Sequence, residues 1–140
     1  MLKKVKSFTL VELIIVVIIV GILVSLGLTQ YNMLVEKSRI AEAKIVLNTL
    51  RIDAEAYNME NGAYPSTISE IAVSAPTSCT TTHYFSYGVF STGSVGGFSG
   101  PHASAYRCTT GGKSPNSSVA YAIYLYFNPL GFTNNTPGYK

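Results

Sequence analysis

The chain has 140 residues, 47% of them hydrophobic and only 12% charged, with a formal net charge of +3. That length allows one small domain plus an apolar segment. The net charge of +3 equals the three lysines among residues 1–7, so the rest of the chain is neutral overall, which excludes a basic nucleic-acid surface for the bulk of the protein.

Residues 1–7, Met1-Leu2-Lys3-Lys4-Val5-Lys6-Ser7, carry bases and no acid, and by the positive-inside rule such an end stays in the cytoplasm. Residues 8–28 then form a 21-residue apolar run. As a helix it is about 31 Å long, enough to cross a bilayer. One charge interrupts it, Glu12. A carboxylate inside such a segment costs roughly 2.5–3.5 kcal/mol, so Glu12 is expected to have a partner. Thr9 stands three residues before it, the spacing of a capping box, which gives the carboxylate a purely structural use at a helix start. Both readings stand at this point. Ser25-Leu26-Gly27 has the small-x-small pattern of an ordinary export cleavage site, which would make the chain a secreted or anchored periplasmic binding module. Against that, Glu12 breaks the apolar region and the helical pattern runs on past Gly27.

Residues 29–62 continue as an amphipathic helix. Ile40, Ala43, Val46, Leu47, Leu50, Ala54 and Tyr57 recur at three- and four-residue intervals, and Lys37, Lys44, Asn48, Arg51 and Glu55 line the other face. Asn61-Gly62 is a left-handed cap pair, with Tyr64-Pro65 after it. The expected helix, residues 8–61, would be about 80 Å long. A folded head must pack on its outer half.

Residues 63–140 read as that head. Thr67 and Glu70 repeat the capping-box spacing and predict a short helical turn through Ala72. Residues 84–90 and 103–108 read as strands, residues 93–100 as a flexible Gly/Ser loop, and residues 128–140 as irregular. Residues 119–127 form the clearest strand, with Val119, Tyr121, Ile123, Leu125 and Phe127 on one side. Three antiparallel strands with one face on the helix give an α+β fold. Cys79 and Cys108 both fall on the non-cytoplasmic side, where a disulfide is permitted. The alternative is two buried thiols.

Little else in the head carries chemistry. Gly111-Gly112-Lys113-Ser114 mimics the end of a phosphate-binding loop, but Arg107 stands where that pattern needs glycine. His83 and His102 with the two cysteines offer zinc-type ligands at a spacing that matches no zinc knuckle. No nucleophile elbow is present, so no catalytic residue, metal or cofactor is expected. Asn116-Ser117-Ser118 and Asn134-Asn135-Thr136 fit the glycosylation spacing. Ten tyrosines and six phenylalanines suit a β-rich core and its rim.

Lys6-Ser7-Phe8-Thr9-Leu10-Val11-Glu12, running into a β-branched apolar helix with Gly21 and Tyr31, resembles the signal sequence of bacterial type IV prepilins and type II secretion pseudopilins. Residues 57–65 are similar to the segment that closes the long helix in such proteins. The resemblance covers roughly the first half of the chain. It implies cleavage between Ser7 and Phe8 by a prepilin peptidase, N-methylation of Phe8, insertion in the inner membrane, and assembly by pilus or secretion machinery into a homo-oligomeric helical filament. It also implies that Glu12 of one subunit neutralises the Phe8 amine of a neighbour. Two positions depart from the pattern. Ser7 replaces the usual glycine before the cut, and Thr29 stands where many members carry proline, which implies a straighter helix. Major pseudopilins of this family bind calcium in the head. Glu70 is the only acidic side chain after Gly62, too few for that ion, which favours a pilin held by Cys79 and Cys108.

Overall fold

The computed structural model describes residues 8–134, which divide into two compact units after Lys37. The expected leader, residues 1–7, and the last six residues lie outside the described residues. One helix, α1 (Leu10–Asn61), runs unbroken for 52 residues, passing Gly21, Ser25 and Gly27 without a break. Within the first unit every large apolar side chain from Leu10 to Leu28 is exposed.

In the second unit α1 buries Ile40, Ala43, Leu47, Leu50 and Ala54, a stripe advancing in steps of three and four. Val46 packs at its rim, and Tyr57 is half-buried. The helix stops where the sequence predicts. Gly62 adopts φ of 73°, and its N–H donates to the Asn58 carbonyl at 2.8 Å, closing a left-handed cap. A 3-10 turn, Ile68–Glu70, follows. It ends two residues earlier than predicted. With so short a turn, the Glu70 carboxylate reaches back to the Ser66 N–H at 2.8 Å and the Thr67 hydroxyl at 3.2 Å instead of closing a regular capping box.

The strands are β1 (Phe85–Phe90), β2 (Ser94–Val95), β3 (Phe98–Ser99), β4 (His102–Arg107), β5 (Ala122–Phe127) and β6 (Leu130–Asn134). A four-stranded antiparallel sheet has the order β1-β4-β5-β6, and β2-β3 form a separate hairpin. The fold is the expected α+β, a long helix on a small antiparallel sheet. Three details differ from expectation. The sheet has four strands because β6 forms from residues whose Asn, Pro and Gly content suggested irregular chain; Pro129 precedes the strand, where no donor is needed. The supposed flexible loop is a tight hairpin, with Gly96 and Gly97 supplying the two positive φ angles, 63° and 86°, that a two-residue turn requires. β5 begins at Ala122, since Val119 and Ala120 are exposed and unpaired in the sheet.

One face of the sheet meets the helix. Phe85, Tyr87 and Val89 of β1, Ala103 and Ala105 of β4, and Ile123, Leu125 and Phe127 of β5 join the helical stripe in one core, with Tyr121 just ahead of β5. The core alanines of both helix and sheet are fully buried. Burial between them, and beside Glu42, pushes the Tyr87 phenol up to about 12. The opposite face carries a second, aromatic layer. His102 stacks on Phe90 at 5.2 Å and lies 4.9 Å from the Tyr126 ring, which stacks in turn on Phe98 at 5.6 Å. The β2-β3 hairpin therefore covers this layer, with Gly93 so close to His102 that a Cβ there would overlap the imidazole. The hydroxyls of Ser104 and Tyr126 are buried beneath without hydrogen-bond partners.

Cys79 and Cys108 form a disulfide with Cα atoms 5.8 Å apart. Closing a loop of this length contributes about 3–4 kcal/mol on the chain-entropy estimate. Reduction, or the double substitution of Cys79 and Cys108 by serine, should lower head stability by about that amount, measured by denaturant unfolding of detergent-solubilised protein. Burial holds the His102 pKa below its ordinary 6.5, outweighing the Gly100 carbonyl that accepts from or faces Nδ1 at 3.2 Å. The unfolded chain therefore binds a proton that the folded head resists, and stability falls as pH drops below about 6.5, levelling off once the folded-state pKa is passed. Unfolding curves at pH 7.5 and 5 should differ less for His102→Phe than for the unchanged chain.

Candidate functional site

The first helical turn is built around Thr9 and Glu12. The Thr9 N–H donates to Glu12 Oε2 at 2.9 Å, and the Thr9 hydroxyl donates to the same oxygen at 2.7 Å. The Glu12 N–H lies 3.3 Å from Thr9 Oγ1, completing the reciprocal capping box. The Thr9 carbonyl accepts the first helical bond, from Leu13, at 3.3 Å. The structural use of Glu12 foreseen from spacing is thus real. Both side-chain bonds fall on one carboxylate oxygen, so the box does not engage Oε1. Phe8, the residue just ahead, is 81% exposed. Ser7 lies outside the described residues.

Behind this turn the helix is long and apolar enough to cross a membrane. In the second unit the helix face opposite the core is also apolar and uncovered. Ile45, Ile52 and Met59, spaced by seven, are 68%, 59% and 84% exposed. The charged residues expected on the outer face do not occupy this stripe. Lys44, Arg51 and Glu55 are half-buried along its flank, where Arg51 donates to Glu55 at 2.8 Å.

The disulfide end of the head is held by a feature that sequence reasoning missed. Arg107, only 4% exposed, donates to the carbonyls of Tyr84 at 3.1 Å, Cys108 at 3.2 Å and Pro115 at 3.1 Å. Its guanidinium also lies over the rings of Tyr84 and Phe85. A lone base at the end of an apolar strand, next to a cysteine, was the available signal. Arg39 and Lys113 flank the same Tyr84 ring at 4.5 and 5.0 Å.

The other candidate chemistry dissolves. Gly112 and Lys113 do not form an open phosphate cradle, because the Gly112 N–H is taken by Asn116 Oδ1 and the Lys113 N–H by the His83 carbonyl. Both thiols are in the disulfide, so they hold no zinc, and His102 is packed among aromatic rings. Among the described residues no group of three or more His, Cys, Asp or Glu side chains is placed to hold a metal. Asn116 is exposed, and the second glycosylation triplet runs beyond the described residues.

Comparison with known proteins places the N-terminal half. Residues 2–28 match the model of the prokaryotic N-terminal methylation motif. The type IV major pilin protein PilE1 of Neisseria gonorrhoeae is 32% identical over 73 residues, 52% of this chain and 44% of that protein. A probable minor fimbrial protein of Dichelobacter nodosus is 41% identical over 54 residues, 39% of this chain and 34% of its own length. The type II secretion system core protein G of Pseudomonas aeruginosa is 32% identical over 65 residues, 46% of each chain. The match thus spans between a third and a half of these curated relatives. No solved structure matches. In its methylation motif and long helix the N-terminal half of the chain is similar to type IV pilins and a type II secretion pseudopilin.

Proposed function

We propose that this protein is a structural subunit of a type IV pilus-like filament. Its precursor sits in the bacterial inner membrane through the apolar part of α1, with the head outside the cytoplasm. A prepilin peptidase cuts between Ser7 and Phe8 and methylates the new Phe8 amine. Pilus machinery then draws subunits out of the membrane into a filament at the cell surface. The observation that carries this reading is the methylation motif, at residues 2–28, whose helical part exposes every large apolar side chain from Leu10 to Leu28. The role is structural, and no catalytic step is assigned to it. The exposed stripe of Ile45, Ile52 and Met59 supports the same reading, since it gives the head's own helix an apolar surface that copies of the chain can cover.

Glu12 has a second use in this scheme. Cleavage leaves an α-amino cation on Phe8, four residues away. Among packed apolar helices an isolated carboxylate is costly, and the amine of a neighbouring subunit offsets that cost. The capping box leaves one carboxylate oxygen for it. A secretion pseudopilin is the second reading, favoured by the 32% identity to core protein G. Both share processing and helix packing.

Mass spectrometry of protein from its native membrane or sheared surface fraction should find a chain beginning at N-methyl-Phe8. A chain still carrying residues 1–7 would overturn the proposal. Glu12→Ala should be processed normally yet enter filaments at least about a hundredfold less well, the effect of removing one member of a buried pair. Thr9→Ala removes only the hydroxyl contacts and should assemble close to normally, separating the pairing role from the cap.

A further inference from the structure

The two edges of the head sheet are not alike. The β1 edge is covered by its own chain. The Tyr87 N–H donates outward to the Pro76 carbonyl at 2.7 Å, the Ser66 hydroxyl reaches Ser91 at 3.1 Å, and the Val73 N–H is tied to Asp53 at 2.7 Å. The β6 edge has no such cover among the described residues. In an antiparallel ladder the N–H and C=O of one residue point to the same side, alternating along the strand. The Arg107 N–H donates to Tyr121 and the Phe127 N–H to Pro101, so the odd residues of β5 face β4. Its even residues therefore face β6, where Tyr124 and Tyr126 meet Thr133 and Gly131. That leaves the N–H and C=O groups of Leu130 and Phe132 directed away from the sheet.

Nothing in β6 discourages another strand. It holds no charge and no proline, the two usual guards of an exposed edge. Leu130 and Phe132 are 61% and 42% exposed. Lys44 lies over the Phe132 ring, on the side-chain face of the strand, at 5.3 Å.

We propose that β6 pairs antiparallel with β6 of a second copy of this chain in a neighbouring filament, tying filaments side by side. This rests on the filament reading given above. An uncharged strand is compatible with its own copy, because no like charges meet across the two-fold axis. The register follows from which groups point outward: Phe132 faces Phe132 of the other copy, and Leu130 faces its Asn134. A five-residue strand pair buries less than the roughly 1,000 Å² that a free dimer needs. The contact is therefore weak for single subunits and effective only when repeated along two filaments.

The test uses filaments of the full chain. Phe132→Pro removes one outward N–H and leaves the β5 ladder intact. Its filaments should form at normal length but remain single, with at least a roughly tenfold loss of bundled material by electron microscopy and low-speed sedimentation. Phe132→Cys should form disulfide-linked dimers across the axis in bundled wild-type-like filaments, whereas Thr133→Cys, which faces Gly131 of the other copy, should not. Wild-type filaments that never associate, Phe132→Pro filaments that bundle as before, or absence of the Phe132→Cys dimer would each overturn the proposal. Loss of filaments altogether in Phe132→Pro would place the edge inside the filament and overturn it too. If the unchanged chain forms no filaments, it is the filament reading itself that fails.

Discussion

A run of fifteen large apolar side chains between Leu10 and Leu28, all exposed, is the constraint on which the rest depends. Burying each such side chain is worth about 1.5–3 kcal/mol, so leaving them in water forfeits tens of kcal/mol. The net stability of a folded domain is only about 5–15 kcal/mol. In the proposed reading lipid, or other copies of the same helix, covers these side chains. The two environments impose the same demand on backbone polarity, and an unbroken helix meets it in both. Glu12 is the single exception to apolarity. Its position in the first turn lets the Thr9 hydroxyl and amide hold the carboxylate at a helix N-terminus, where negative charge is favoured.

The head solves a different problem, a small core with few charges to spare. Ala43, Ala54, Ala103 and Ala105 are fully buried, and Leu47, Leu50, Ile123 and Leu125 fill the core between helix and sheet. Cohesion at the far end comes from the disulfide and from Arg107, which binds carbonyls on both sides of it. The ion pair between Arg51 and Glu55 joins neighbours one turn apart on α1 and contributes only a few tenths of a kcal/mol. The covalent tie matters because the chain between helix and sheet has little regular structure of its own.

The sheet is covered on both faces, and the two covers differ in kind. The helix side is aliphatic and close-packed. The other side is a ring layer of Phe90, His102, Tyr124, Tyr126 and Phe98, capped by a hairpin too short to bury much by itself. Burial and the neighbouring Tyr106 and Tyr126 raise the Tyr124 pKa. Polar tips in this layer are only partly satisfied, as the orphaned hydroxyls of Ser104 and Tyr126 show. The sheet edges differ as well. β1 is closed by a preceding loop, whereas no described residue pairs with the outer edge of β6.

Local signals carried the first half of the molecule. The apolar run, the Thr9–Glu12 spacing, the three-four periodicity from Ile40 to Ala54 and the Asn61-Gly62 stop depend on interactions within a few residues, and each is readable in order along the chain. The strand at 84–90 was legible from its aromatic and β-branched residues, and the one at 119–127 from its alternation. What escaped was set by tertiary structure. β6 exists because β5 offers it a ladder, against the bias of its Asn, Pro and Gly neighbours. The Gly/Ser segment becomes a hairpin because Phe98 finds Tyr126 and Gly93 fits against His102. Arg107 is buried because three carbonyls from distant loops converge on it. The sequence by itself determined the helix, with its apolar first part and amphipathic second part, through patterns spanning one or two turns. Only the tertiary structure decided which strands pair, which edge is covered and which charge is buried, because those energies come from residues far apart in the chain.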